Sequence, residues 1–182
     1  MNNTQYQNLA FRTCKIHDSH EFNLLHMAVG IGSEYDELIN AIDSNDKINI
    51  IEEIGDIMWY IACYKKLNNS RFDVIVYNSI HNTKPIIDYM NKLPKKISTL
   101  QNLIKRQAVY LKPDEAAINT NLEEIIKILL QILAVLEVDI YSVYIKNIDK
   151  LSVRYPEKYT DINAVNRDLF SELKALKKDE SI

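Results

Sequence analysis

At 182 residues, with 47% hydrophobic and 26% charged side chains, the chain has the size and composition of one soluble globular domain with a sizeable core. Three glycines and four prolines supply too few turns for a β-rich fold, so an all-α protein is expected. A formal net charge of −3 and a pI near 5.8 argue against a broad nucleic-acid-binding surface. No apolar run reaches the roughly 18 residues needed to span a bilayer. The N-terminus, MNNTQYQNLAFRTCK, lacks the basic start and apolar centre of a signal peptide. Cys14 and Cys63 have no ligand-like spacing and read as two reduced thiols, so a cytoplasmic location is expected.

Taken in order, residues 4–14 predict a short lead-in helix or strap. Asp18-Ser-His-Glu21 then reads as a capping box with Asp18 as N-cap. The helix it opens runs to about Ala41, with Leu24, Met27, Ala28, Ile31, Leu38 and Ile42 as its apolar stripe. At ~100° per residue, His26, Gly30, Glu34 and Glu37 share a sector of roughly a quarter turn. Ser44-Asn-Asp46 forms a turn, and a second helix covers about 47–67. Its core face is Ile50, Ile51, Ile54, Ile57, Met58 and Ile61; Glu53, Asp56, Tyr60 and Cys63 line another stripe, with Glu52 and Trp59 beside it.

The short turn makes these helices an antiparallel hairpin. That brings together two i,i+3 acidic pairs, Glu34/Glu37 and Glu53/Asp56. Four converging carboxylates repel one another unless a cation lies between them, and a hard divalent ion with oxygen ligands suits the set. All three glycines, Gly30, Gly32 and Gly55, fall in this hairpin. Glycine inside a helix costs about 1 kcal/mol relative to alanine. These positions therefore provide either room for a ligand or a close helix crossing.

Residues 68–95 are less legible: RFDVIVY alternates like a strand but also fits a buried helical turn, and short helices broken near Asn82 and at Pro94 are expected. Residues 96–137 form a second hairpin. Within it Glu123-Glu124-Ile-Ile-Lys127 overlays Glu52-Glu53-Ile-Gly-Asp56, as either a degenerate repeat that has lost its metal or a chance likeness. Asp139 caps a helix over about 140–154, which Pro156 ends. Asn147, Lys150 and Arg154 share one face of it. A closing helix covers about 164–177, followed by a loose tail.

The run E-x-x-E at Glu34–Glu37, a gap of fourteen residues, and E-E-x-x-D at Glu52–Asp56 resembles the all-α nucleoside triphosphate pyrophosphohydrolases, the superfamily of MazG-like proteins, dimeric dUTPases and dCTPases. The flanks HMAVGIGSE and GDIMWYI are similar too, as is N-x-x-K-L-x-x-R-Y-P over Asn147–Pro156, followed by an aromatic and N-R-D. The resemblance implies a single all-α domain over 1–182, a MazG-like bundle with a central four-helix core. It implies Mg²⁺, with Mn²⁺ as a substitute, held by Glu34, Glu37, Glu53 and Asp56. The general base is one of these four, unassigned, and Glu52 is either behind the ligands or solvated. Lys150, Arg154 and Asn147 are implied substrate-binding residues on a phosphate-contacting helix. Lys105 and Arg106 are weaker candidates, and Trp59 either stacks on a base or fills the core. The implied reaction is hydrolysis of a nucleoside triphosphate to monophosphate and pyrophosphate, with dUTP and dCTP foremost, in a homodimer or dimer of dimers. A nucleotide-binding regulatory protein of the same fold is the alternative. A di-iron bundle is excluded, because no glutamate is followed by histidine three residues later.

Overall fold

Short polar side chains set where the helices begin. In the computed structural model, which describes residues 1–75 and 84–177, Asn2 caps α1 (Asn3–Arg12) through a capping box with Gln5. Ser19 caps α2 (His20–Asp43), Asp46 caps α3 (Lys47–Leu67), and Asp114 caps α6 (Glu115–Val135). Asp139, Thr160 and Asp168 cap α7 (Ile140–Arg154), α8 (Asp161–Val165) and α9 (Leu169–Leu176). The remaining helices are α4 (Ile86–Met90) and α5 (Leu93–Tyr110). No strand occurs among the described residues.

Several expectations are corrected. The cap of α2 is Ser19, not Asp18: its Oγ accepts from the Phe22 amide at 3.1 Å and donates to Glu21 at 2.9 Å. Pro94 does not break a helix but sits in the first turn of α5, where the missing N–H is not needed. The closing helix divides into α8 and α9, because Asn166 ends one and Asp168 caps the next. Residues 71–75 form neither helix nor strand, yet their alternation is real, with Phe72 and Val74 buried and Arg71, Asp73 and Ile75 exposed. The break expected near Asn82 and the tail from residue 178 onward lie outside the described residues.

Two hairpins, α2–α3 and α5–α6, make the four-helix core: α2 packs on α3 and α5, α5 on α6, and α3 touches α6. Ile31, Leu38, Ile54, Ile57, Met58, Ile61, Leu100, Ile104, Leu122 and Leu129 fill it. Helix α7 crosses α3 on the other side, and α1 lies against both. Close packing accounts for the glycines. A Cβ on Gly55 would lie 3.2 Å from Asn147 Cβ at the α3–α7 crossing, and one on Gly30 would lie 2.1 Å from the Tyr60 ring. Gly32 faces Gln101, which reaches from α5 to the Ala28 carbonyl at 3.1 Å.

With its glycines spent there, the chain ends helices on other residues. Asn45, Asn69, Leu111 and Glu137 all adopt positive φ, between 53° and 56°. Asparagine tolerates this conformation; leucine and glutamate adopt it at a cost.

Candidate metal centre

The turn at 44–46 sets the register of the hairpin. Asn45 takes the left-handed conformation, the Asp46 amide closes back on the Ala41 carbonyl at 2.9 Å, and Asp46 then caps α3. In this register Glu34, Glu37 and Glu53 each offer an oxygen, and the three lie within 4.8 Å of one another. Glu53 is buried, Glu34 half-buried and Glu37 exposed, so the cluster opens to solvent on one side.

Burial and mutual repulsion dominate its electrostatics. Burial first, then the charges of Asp56 and Glu37, push Glu34 up to about 7, although a hydrogen bond with Glu53 offsets part of this. Burial and then Asp56, Glu52, Glu34 and Glu37 push Glu53 up to about 9. Near neutrality the pair therefore retains a proton, and a divalent cation would replace it. Three convergent carboxylates, one of them buried, with no soft donor among them, are the chemistry of a hard divalent-cation site.

Asp56 is placed beside this group rather than within it. Asn147 Nδ2 donates to one of its oxygens at 2.6 Å and Lys150 Nζ to the other at 2.5 Å. Asn147 in turn accepts from the Tyr6 hydroxyl at 3.1 Å, and Tyr6 stacks on Tyr144 at 4.0 Å. Lys150 also donates to Glu52 at 3.1 Å and is only 2% exposed. Burial alone would lower its pKa, but Asp56 and Glu52 more than offset this, and it stays an ammonium. Glu52 is thus not a solvated residue but the second carboxylate of a buried Lys150 clamp.

A cleft of about 220 Å³ runs from Glu34 and Asp56 past Tyr60, Trp59 and His26 to Lys150, Arg154, Lys15 and Tyr159. Arg154 is gripped from α9: Glu172 accepts from its Nε at 3.0 Å and its Nη2 at 2.6 Å, and Arg167 adds a second guanidinium at 2.7 Å. Burial would raise Glu172, yet the two arginines win and hold it at about 2. Trp59 is pinned by its indole N–H to the Ala10 carbonyl at 3.0 Å and Thr13 Oγ1 at 2.9 Å, leaving the ring along the cleft. Tyr60 packs edge-on against it at 4.8 Å. Lys105 and Arg106 are exposed on α5 and do not line the cleft.

His26 Nδ1 is buried without a hydrogen bond among the described residues, and burial, then His17 and Lys15, lower its pKa. Thr13 and Lys15 had no signal in the sequence, because they arrive from the strap after α1. The one available hint was Trp59, whose indole N–H needs an acceptor when sheltered.

Among the described residues no single helix is long and apolar enough to cross a membrane. No curated protein and no solved structure matches the chain. Residues 22–82, from the first turn of α2 through all of α3, match the family model of the MazG nucleotide pyrophosphohydrolase domain. That segment holds every carboxylate of the cluster, and its match is consistent with the MazG-like nucleotide pyrophosphohydrolase superfamily.

Proposed function

We propose that the protein hydrolyses a (deoxy)nucleoside triphosphate to the monophosphate and pyrophosphate, with pyrimidine deoxynucleotides such as dUTP and dCTP favoured, and so cleanses the nucleotide pool. The observation that carries this is the convergence of Glu34, Glu37 and Glu53 within 4.8 Å, at a cleft that also presents Asp56, Lys150 and Arg154. Glu34, Glu37 and Glu53, with Asp56 alongside, would hold Mg²⁺, for which Mn²⁺ can substitute. Bound there, such an ion would supply charge neutralisation at the pyrophosphate leaving group and acidification of a water. Mg²⁺ needs few protein ligands, so one of the four carboxylates remains to take the proton as water attacks phosphorus and the bond to pyrophosphate breaks.

The chain's other groups position and screen. Asn147 and Lys150 fix Asp56 from both oxygens, and the Tyr6–Tyr144 stack fixes Asn147. Arg154 offsets the repulsion between the acidic cluster and a triphosphate, its orientation held by Glu172. Helices α5 and α6 serve as scaffold, a second hairpin whose acids do not converge, in a cytoplasmic homo-oligomer. The test is release of pyrophosphate and monophosphate from a panel of nucleoside triphosphates, with Mg²⁺ and with chelator. Metal-dependent release from one or two of them is expected. Silence across the panel from folded, metal-replete protein would instead assign a nucleotide-binding regulatory role.

A further inference from the structure

Three cations line the cleft, and each is matched by a carboxylate, but the three pairs differ in how open they are. Lys150 is closed in by Asp56 and Glu52 and is 2% exposed. Arg154 is held bidentately by Glu172, itself 4% exposed. Lys15 pairs with Asp161 of α8, where the two side chains are 37% and 73% exposed. An exposed pair contributes little to stability and exchanges partners readily, whereas the other two are sheltered by protein. Lys15 is therefore the cleft cation with a charge to give.

Its placement is built. The chain leaving α1 is tied to α3 through Thr13, which accepts from Trp59 at 2.9 Å. It is tied to the segment after α7 through the Tyr159 amide on the Arg12 carbonyl at 3.2 Å, and through Arg12 Nη1 on the Pro156 carbonyl at 2.9 Å. Lys15 follows two residues after Thr13, with its ammonium 5.6 Å from the centre of the Tyr159 ring. Tyr159 also donates from its hydroxyl to Asp161 at 2.8 Å, so the carboxylate has a partner of its own when the lysine leaves. The ring face holds the ammonium at the cleft through the exchange.

We propose that Lys15 is a substrate-binding residue, whose ammonium leaves Asp161 to take a non-bridging oxygen of the bound triphosphate. Asp161 occupies the place of that oxygen in the free protein. This rests on the reading of the cleft as a triphosphate site, and it adds a cation from outside the matched hairpin.

The two members of the pair should then have opposite effects. Calorimetric titration of full-length protein with inorganic tripolyphosphate in excess Mg²⁺ would compare wild type, Lys15→Gln, Lys15→Arg and Asp161→Asn. We expect Lys15→Gln to weaken binding about tenfold, as the loss of a charge-assisted hydrogen bond requires, and Lys15→Arg to stay within about threefold of wild type. Asp161→Asn, which removes the competitor, should tighten binding about threefold. Asp161 is exposed and Lys15 half-buried in an open ion pair, so the variants should fold. Wild-type binding with both variants unchanged, or shifted in the same direction, makes the pair a structural strut and overturns the assignment of Lys15 alone. No binding by wild type overturns the triphosphate reading of the cleft and this assignment with it.

Discussion

The two core hairpins carry similar letters and put them to opposite uses. Glu52-Glu53-Ile-Gly-Asp56 on α3 and Glu123-Glu124-Ile-Ile-Lys127 on α6 both place acids beside an apolar stripe. On α3 the acids turn inward: Glu53 is 8% exposed among other carboxylates, and Asp56 sits under a buried lysine. On α6, Glu123 and Lys127 face water, and Glu124 is a half-exposed partner of Lys96 at 2.5 Å. The glycines mark the difference. Gly30 lets Tyr60 of α3 press onto α2 and Gly55 lets α7 press onto α3, whereas the second hairpin has no glycine. Function here lies in which acids the fold desolvates, and the acidic pattern itself does not decide that.

The largest effect that separates the hairpins is on turnover. Glu53→Gln or Asp56→Asn should lower kcat by about a thousandfold or more with helicity intact, as expected when a metal-site group is lost. Glu124→Gln should leave it within about twofold. Steady-state rates with circular dichroism on the same samples check both.

Stability should divide the same way. Lys150→Met leaves the half-buried Asp56 and Glu52 without their cation and should cost about 2 kcal/mol in denaturant unfolding. Lys127→Met, at an exposed site, should stay within about 0.5 kcal/mol.

The pH profile sharpens the contrast further. Glu34 and Glu53 are raised in the folded protein, to about 7 and about 9, above the unfolded carboxylate value near 4.3. The folded state therefore binds more protons, and their contribution to stability is fully present below about pH 4.3 and lost as pH rises through those values. Water reaching the open side of the cluster reduces the effect. Metal-free protein should melt about 5 °C lower at pH 8.5 than at pH 5.5. Glu53→Gln should flatten that slope and Glu124→Gln should not, by differential scanning calorimetry in chelator.

The smallest effect belongs to the second hairpin's turn. Leu111 ends α5 at φ 53° and is 73% exposed, so Leu111→Gly relieves backbone strain and loses little burial. It should raise stability by about 0.5 kcal/mol in chemical denaturation.

What could be read from sequence was local. The hairpin, its acidic pairs and the caps at Asp46 and Asp139 follow from spacings of three to four residues and from short polar side chains, which act within one turn. The error at Asp18 was one residue, because Ser19 offers an equally good cap beside it. The division of the closing helix had a visible signal in Asn166 and Asp168, which competed with an otherwise continuous pattern. The charge pairings could not be read, because nothing local couples Lys150 to Glu52 and Asp56 about ninety residues earlier, or Lys15 to Asp161. The sequence proposes charged residues for a site, but the crossing of α7 over α3 decides which of them are buried and with what partner.

The proposed divalent-cation centre of Glu34, Glu37 and Glu53 should exchange its proton for a metal. The most direct measurement is Mn²⁺ titration by calorimetry at pH 7, repeated in two buffers of different ionisation heat so that released protons are counted. We expect binding with release of about one proton per ion, lost in Glu53→Gln and retained in Glu124→Gln. Binding that survives Glu53→Gln unchanged, or that releases no proton, would contradict it.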